Sequence, residues 1–451
     1  MTSRTISAVA ARSVPSLSSA RAWRFALLLG VAPNLVMLLA LPFYVATRAF
    51  SPLLYVFAGQ LALRAPPLLA YVLFPLIAVV DLGLVAMAVF NLPFGTAVQS
   101  MRYLASVDLT SSAFYLAVLG FFVANGVAVA CLFNRNRQAL RGAMVLPAVL
   151  VALGVALLER HINSPFLKQP AQSFESALSI NGADPATIAD AGRNVLFVMV
   201  EGLGALANPA HAAILSQRLQ PALDTGRYTL SSGLSNFEGS TTGAESRELC
   251  GQWGDHTDYL GQARYDCFPA AMADRGYRTV SYHGFSHEMF ERDKWYPSIG
   301  FQESYFLENL ATAGDRFGQR CGSVFTGLCD NDVAGAIRDR LTKQPAERTF
   351  LYWLTLNSHI PYVAKQHGQL RCGRDSAEIA NTQVCELTEL WADVFADVAA
   401  IAKDPALPPT DIFIVGDHPT PLWNRAAAGH FTPHKVQWYL LRDNRQVTDR
   451  G

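Results

Sequence analysis

Charge is scarce in this chain. Only 16% of its 451 residues are Asp, Glu, Lys or Arg, against 51% hydrophobic, well below the roughly 25% charged residues of an ordinary soluble domain. A disordered chain is excluded, because disorder needs many charges and few apolar groups. Net charge is lacking as well: 36 basic and 36 acidic residues cancel. That argues against nucleic acid as a partner, which calls for a basic excess to displace counterions. Lysine is absent from residues 1–165, which hold 11 arginines against three acids (Asp81, Asp108, Glu159), a net of +8. The other 286 residues hold 25 basic and 33 acidic groups, a net of −8. Two physical environments are implied rather than one globule.

Long apolar runs occupy the basic part. Residues 24–47, 67–90, 112–133 and 142–158 are candidate membrane spans, with 49–63 a shorter fifth; about 20 apolar residues cross a bilayer. Arg4, Arg12, Arg21 and Arg24 place the N-terminus in the cytoplasm, and Arg135, Arg137 and Arg141 do the same for the loop before the last run. An even number of crossings must then lie between the first run and 112–133. Residues 49–63 and 67–90 supply it, with Arg64 at the cytoplasmic turn. Five crossings deliver everything after residue 160 outside the cytoplasm. A cleaved signal peptide explains only the first run.

Cysteine is also sparse, and no Cys-x-x-Cys spacing occurs, which disfavours a zinc cluster. Cys131 lies in an apolar run; the other six follow residue 160. Nearest neighbours give Cys250 with Cys267, Cys321 with Cys329 and Cys372 with Cys385, one of 15 possible pairings. An even number confined to the exported part fits an oxidising compartment.

Residues 161–192 are polar, with three prolines, and read as a juxtamembrane linker with a short helix. Residues 1–160 are thus an anchor and 193–451 a catalytic domain. Asn194-Val-Leu-Phe-Val-Met-Val is an unbroken apolar run ending at Glu201-Gly-Leu-Gly, the pattern of a strand buried on both faces. Thr279–Tyr282, Thr349–Leu356, Asp411–Val415 and Val436–Leu441 are further strand candidates, with helical stretches at Val333–Leu341 and Cys385–Ile401. Alternating strands and helices predict an α/β/α sandwich with a mostly parallel sheet. Glu201, His283, His359 and Asp417-His418 follow four of these strands, at the edge where open α/β sheets carry their sites.

Glu201, Asp417 and His418 form an O/O/N donor set suited to one divalent metal, Zn or Mn. Gly239-Ser-Thr-Thr-Gly-Ala-Glu245 permits a tight turn into a helix start. There Thr241 or Thr242 can be a metal-assisted nucleophile or a simple helix cap.

These residues give the exported half a resemblance to the lipoteichoic acid synthase and periplasmic-glucan phosphoglycerol transferase group of the alkaline phosphatase superfamily, and more distantly to lipid A phosphoethanolamine transferases. It covers most of residues 190–445 and rests on NVLFVMVEGLG, GSTTGAE, HGFSHEMFERDKWYPSIGF, FLYWLTLNSHIPY and FIVGDHPTP. GSTTGAE aligns ungapped with the group's G-x-T-x-x-A-E, which selects Thr241 over Thr242 as nucleophile. The resemblance implies a single metal held by Glu201, Thr241, Asp417 and His418, a phospho-threonine at Thr241, and donor phosphate contacts from His283, Arg292 and His359. Phe290 stands where the synthases carry Trp, and Met289 where they carry Phe, so the head-group pocket differs. His430 and His434 read as structural or peripheral.

The implied activity is transfer of a phospholipid head group, phosphoglycerol or phosphoethanolamine, onto an envelope glycan or lipopolysaccharide, by a multi-pass inner-membrane protein with a periplasmic catalytic domain. A phosphodiesterase or phosphatase of the same fold, or a non-catalytic scaffold for polysaccharide assembly, are the alternatives. A true sulfatase needs a Cys or Ser in a C/S-x-P-x-R context, and no such pattern follows any exported cysteine or any serine near Thr241.

Overall fold

The computed structural model describes residues 20–45, 47–90, 92, 94–167, 173–261, 263–312 and 317–445. The chain forms two compact units: Met1–Pro42, Ala46–Ala86 and Ala117–Ser164 in one, Phe43–Val45, Met87–Leu116 and Pro165–Gly451 in the other. Among the described residues, four helices are long and apolar enough to cross a membrane: Ala20–Ala40, Leu68–Val89, Ala113–Leu140 and Leu146–Phe166. The fifth run is also helical, but Ser51–Arg64 has only 14 residues, about 21 Å at 1.5 Å per residue against roughly 30 Å of hydrocarbon. Within Ala20–Ala40 the helix widens to a π turn at Leu27–Val31 and tightens at Ala32–Asn34. Pro33 explains the change, since it offers no N–H to the preceding turn.

The first unit buries charges as well as apolar side chains. Arg48 is fully buried, its Nη1 3.1 Å from Asp81 Oδ2 and its Nε 3.3 Å from Glu159 Oε2. Ser51 and Tyr55 donate to the same Asp81 carboxylate. Charges packed among apolar helices need such mutual satisfaction.

The second unit is built on an eight-stranded sheet: β1 Asn194–Val200, β2 Gly204–Leu206, β3 Tyr228–Asn236, β4 Arg278–His283, β5 Glu303–Tyr305, β6 Thr349–Leu354, β7 Thr410–Gly416 and β8 Phe431–Asp443. The order is β2-β8-β7-β1-β6-β4-β5, with β3 also on β8. Strands β1, β4, β5, β6 and β7 pair in parallel, whereas β8 runs antiparallel to β7, β2 and β3. The sheet is therefore mixed: a parallel centre with an antiparallel flank, rather than mostly parallel throughout. Every residue of β1, β6 and β7 is buried, because alternate side chains enter two cores. Leu196, Val198, Leu351, Trp353, Ile412 and Ile414 face one; Val195, Phe197, Phe350, Tyr352, Phe413 and Val415 face the other. Helices Asp330–Lys343 and Thr382–Ala402 seal the first core; Thr241–Cys250 and Arg292–Ser298 seal the second. The expected three disulfide pairs all form.

Candidate active site

Register places the first two carboxylates. Val200 pairs with Gly416 across β1 and β7, so Glu201 and Asp417 leave adjacent parallel strands at one level. Two glycines make the turn possible. A Cβ on Gly416 would sit 1.9 Å from Leu203 O, and Gly202 has φ +65°, a conformation glycine adopts freely. Asp417 Oδ1 accepts from the Gly202 and His418 amides, each at 2.7 Å. The Glu201 carbonyl accepts from Ser358 Oγ at 2.7 Å and Trp391 Nε1 at 3.2 Å. The Asp417 side chain and the Glu201 backbone are thereby both fixed.

Glu201, Asp417 and His418 converge, with one donor atom of each within 4.8 Å of the others. His418 Nε2 lies 3.3 Å from both Glu201 Oε1 and Asp417 Oδ2. Its Nδ1 is 3.1 Å from Pro419 O; a carbonyl only accepts, so Nδ1 carries the hydrogen and Nε2 faces the carboxylates. Asp417 Oδ2 is buried with no hydrogen-bond donor. Burial, and then the charge of Glu201, push the Asp417 carboxyl up to about 7. Burial opposes ionisation of Glu201 too, but His359 and His418 outweigh it and hold it at about 2. His418 is raised to about 9: burial is overcome by Asp417 and Glu201. Buried carboxylates favour positive charge among them, which the raised His418 reflects and a divalent cation would supply more fully. With an orphaned oxygen and an O/O/N donor set, the residues fit a divalent metal.

Thr241 opens helix Thr241–Cys250, and its Oγ1 donates to Glu201 Oε2 at 3.4 Å. Thr242 is buried away from that cluster, donating to Asp255 Oδ1 at 3.1 Å and lying 3.0 Å from Ser240 Oγ. Neither threonine is the helix cap: Ser240 is, accepting from the Gly243 amide at 3.3 Å. Arg247 ties this helix to β7 by donating to Gly416 O at 3.2 Å, beside Asp417.

His359 joins the cluster, Nε2 3.9 Å from Glu201 Oε1 and Nδ1 2.9 Å from Ile360 O. His283 ends β4 with Nδ1 3.0 Å from Leu354 O; burial and then Arg292 lower it to about 3. Neutral, with Nδ1 committed, its Nε2 is an acceptor suited to a hydroxyl, an ammonium or a protonated phosphate oxygen. Arg292 is buried and already engaged, Nη2 3.2 Å from Glu245 Oε2 and Nη1 3.3 Å from Met289 O. Tyr296 and Tyr352 donate to the other Glu245 oxygen. His434 pairs with Glu238, and the His430 ring stacks on His211 at 5.9 Å.

Four partners were not evident from the sequence. Glu245 closes the GSTTGAE motif and is the counter-ion of Arg292. Asp330, at a helix start, accepts the Leu356 and Asn357 amides of the loop carrying His359. Arg102 and Tyr103 both donate to Glu291, and the Tyr103 ring lies 5.6 Å from Phe290. Phe290 and Glu291 have φ of 58° and 52°, strained for bulky residues, and they directly precede Arg292. The side-chain types offered no signal for that pairing, since 188 residues separate Tyr103 from Glu291.

Architecture and site together define a class: an α/β/α domain with a hydroxyl and a metal-type donor set at the C-terminal edge of its parallel strands. The chain belongs to the sulfatase family, whose sequence profile matches residues 193–440. No curated protein matches the chain significantly. Among solved structures it is similar to the lipoteichoic acid synthase LtaP from Listeria monocytogenes (15% identity, 56% of this chain and 65% of that one, TM-score 0.41). It is also similar to the Streptococcus pyogenes phosphoglycerol transferase GacH in complex with sn-glycerol-1-phosphate (15%, 60% and 76%, 0.39). A third is the periplasmic domain of EptC from Escherichia coli in complex with Zn (15%, 56% and 73%, 0.37). The chain thus spans just under two thirds of the LtaP structure.

Proposed function

We propose that the protein transfers the phosphate-bearing head group of a phospholipid, phosphoglycerol or phosphoethanolamine, to an envelope glycan or lipopolysaccharide through Thr241. The observation that carries this reading is the Thr241 hydroxyl, half-buried and 3.4 Å from Glu201 Oε2, beside Asp417 and His418. Glu201, Thr241, Asp417 and His418 would hold one divalent cation, zinc or manganese, which when bound lowers the hydroxyl's pKa and screens charge on phosphorus. Thr241 Oγ1 attacks phosphorus while the bond to the diacylglycerol oxygen breaks. Its proton departs toward Glu201 Oε2, the acceptor it already faces, and the diacylglycerol oxygen takes a proton from solvent water, so that diacylglycerol leaves as the alcohol. An acceptor hydroxyl then displaces Thr241 in the reverse sense. Arg292, neutralised by Glu245, and the Nε2 atoms of His283 and His359 line the donor side and orient the head group. Five crossings place this domain in the periplasm and keep it beside a donor that stays in the bilayer.

Mass spectrometry of the full-length protein incubated with phospholipid and no acceptor tests the chemistry. The Thr241 peptide should gain a phosphoglycerol or phosphoethanolamine mass, and Thr241→Ala should gain none. An unlabelled wild-type Thr241 peptide refutes the nucleophile. A reporter fused after Arg160 that is active only in the cytoplasm refutes the topology.

A further inference from the structure

A cavity of about 600 Å³ is lined by Asp330, Asn357, Lys365, Asp393 and Asp397 among others. Its size falls within the roughly 300–1,000 Å³ of small-molecule sites. Three consecutive residues connect it with the metal-type cluster. Asn357 lines the cavity, Ser358 holds the Glu201 carbonyl and His359 approaches Glu201 Oε1. Asp330 fastens these residues from the cavity side, accepting the Asn357 amide at 2.8 Å, while Asn357 Oδ1 accepts the Asp330 amide at 2.8 Å. The Cys321–Cys329 disulfide stiffens the adjoining wall.

The lining selects a chemistry. Val363, Leu390 and Val394 give an aliphatic floor. Around it stand three carboxylates and two cations, Arg320 and Lys365, of which Lys365 is paired with Asp393 at 2.6 Å. Asp397 follows Asp393 by one helical turn; its carboxyl is raised to about 7 by burial and then by the Asp393 charge. With three carboxyls beside two cations, one of them already paired with Asp393, the lining offers a phosphate no excess of positive charge, and the charged rim disfavours an acyl chain. A sugar ring has an apolar C–H face and an edge of hydroxyls that donate to carboxylates and accept from amides and ammonium groups.

We infer that this cavity is the acceptor subsite and takes a neutral or amino hexose unit, presenting its hydroxyl past Asn357 toward Thr241. The inference rests on the proposed transfer through Thr241 and can fail separately from it. Its test uses full-length protein in phospholipid nanodiscs, with a glucose disaccharide and a glucosamine disaccharide as probes. Thr241 labelling without acceptor is measured first, and discharge of the label onto the sugar second. Asp397→Asn, and Ala364→Trp to fill the cavity, should label at rates within about twofold of wild type while the acceptor KM rises at least tenfold. The preserved labelling reports that both variants are folded. Normal labelling with an unchanged acceptor KM in both variants overturns the cavity's role alone. So does wild-type label that discharges to water at the same rate with or without sugar. Absence of label on wild-type Thr241 overturns the transfer reading, and the subsite with it.

Discussion

Replacing Glu245 by glutamine should destabilise the second unit more than any comparable change on its surface. Glu245 is fully buried and Arg292 is 2% exposed, with contacts of 3.2 and 3.5 Å between them. Glutamine keeps an oxygen for Tyr296 and Tyr352, so the main loss is the charge opposite Arg292. Removing one partner of a buried ion pair costs about 3–5 kcal/mol. Because glutamine retains those acceptors, the lower end applies, about 3 kcal/mol. At roughly 2–4 °C per kcal/mol for a domain of this size, Tm falls by about 6–12 °C. Arg292→Met should cost less, because a carboxyl escapes burial by taking a proton whereas a guanidinium cannot lose one. The double variant should recover part of the Glu245→Gln loss. Thermal unfolding of the full chain, followed by near-ultraviolet circular dichroism, measures all three. A Glu245→Gln shift under about 2 °C, or an Arg292→Met shift larger than that of Glu245→Gln, refutes the reasoning.

Thr242→Ala should retain Thr241 labelling yet lose about 1–2 kcal/mol, since its buried hydroxyl bridges Asp255 and Ser240; peptide mass analysis and a thermal melt separate the two effects. Serine at both Cys250 and Cys267 reopens a loop with a sequence separation of 17 and should cost about 3 kcal/mol by loop entropy, read as a lower denaturation midpoint. Burial raises Asp330 from 3.8 to about 7, so the folded state binds the extra proton. Stability is therefore highest below pH 4 as far as this group is concerned, and is lost as pH rises to about 7, by up to roughly 4 kcal/mol. Denaturant titrations of Asp330→Asn across that window should show a flatter pH dependence than wild type, and an unchanged slope speaks against the buried carboxyl.

What could be read in advance followed from where burial is uniform. The β1 run is apolar at every position because both its faces are covered, so its strand and its terminal Glu201 were visible without neighbours. β3 was not: Tyr228–Asn236 reads YTLSSGLSN and lies half-exposed on one side of β8; with few apolar positions it carries no burial signal. β8 runs from Phe431 to Asp443 instead of Val436 to Leu441, because antiparallel partners on both sides extend it past its apolar centre. Apolarity also measures the hydrocarbon rather than the helix. The 112–133 run continues as helix to Leu140 through Asn134, Arg135, Asn136 and Arg137. The site's strand-end residues were legible because chemistry sits where strands stop. Glu245 and Asp330 were not, since a carboxylate in the first turns of a helix has a local explanation in the helix dipole, and only the tertiary structure reveals its partner.

The imbalance of charge between residues 1–165 and the rest bears most on the short helix Ser51–Arg64. If it does not cross, Arg64, Arg135, Arg137 and Arg141 lie on the far side of the membrane from Arg4, Arg12, Arg21 and Arg24, and the orienting charge is split. The domain with three disulfides then faces the cytoplasm, where thiols stay reduced. If it does cross, all eight share the cytoplasmic side. Only Arg48, Arg102 and Arg160 remain opposite, and Arg48 is already held by Asp81 and Glu159. That buried cluster also answers the helix's length. Ser51 and Tyr55, in its first turns, donate to Asp81 on the Leu68–Val89 helix, so its outer end is satisfied by protein rather than by lipid. A helix whose polar end is matched inside its own unit need not span the hydrocarbon unaided. The asymmetry of arginine and the oxidised cysteines therefore favour the same proposed topology on two independent physical grounds, and the Arg48 cluster removes the objection raised by its shortest helix.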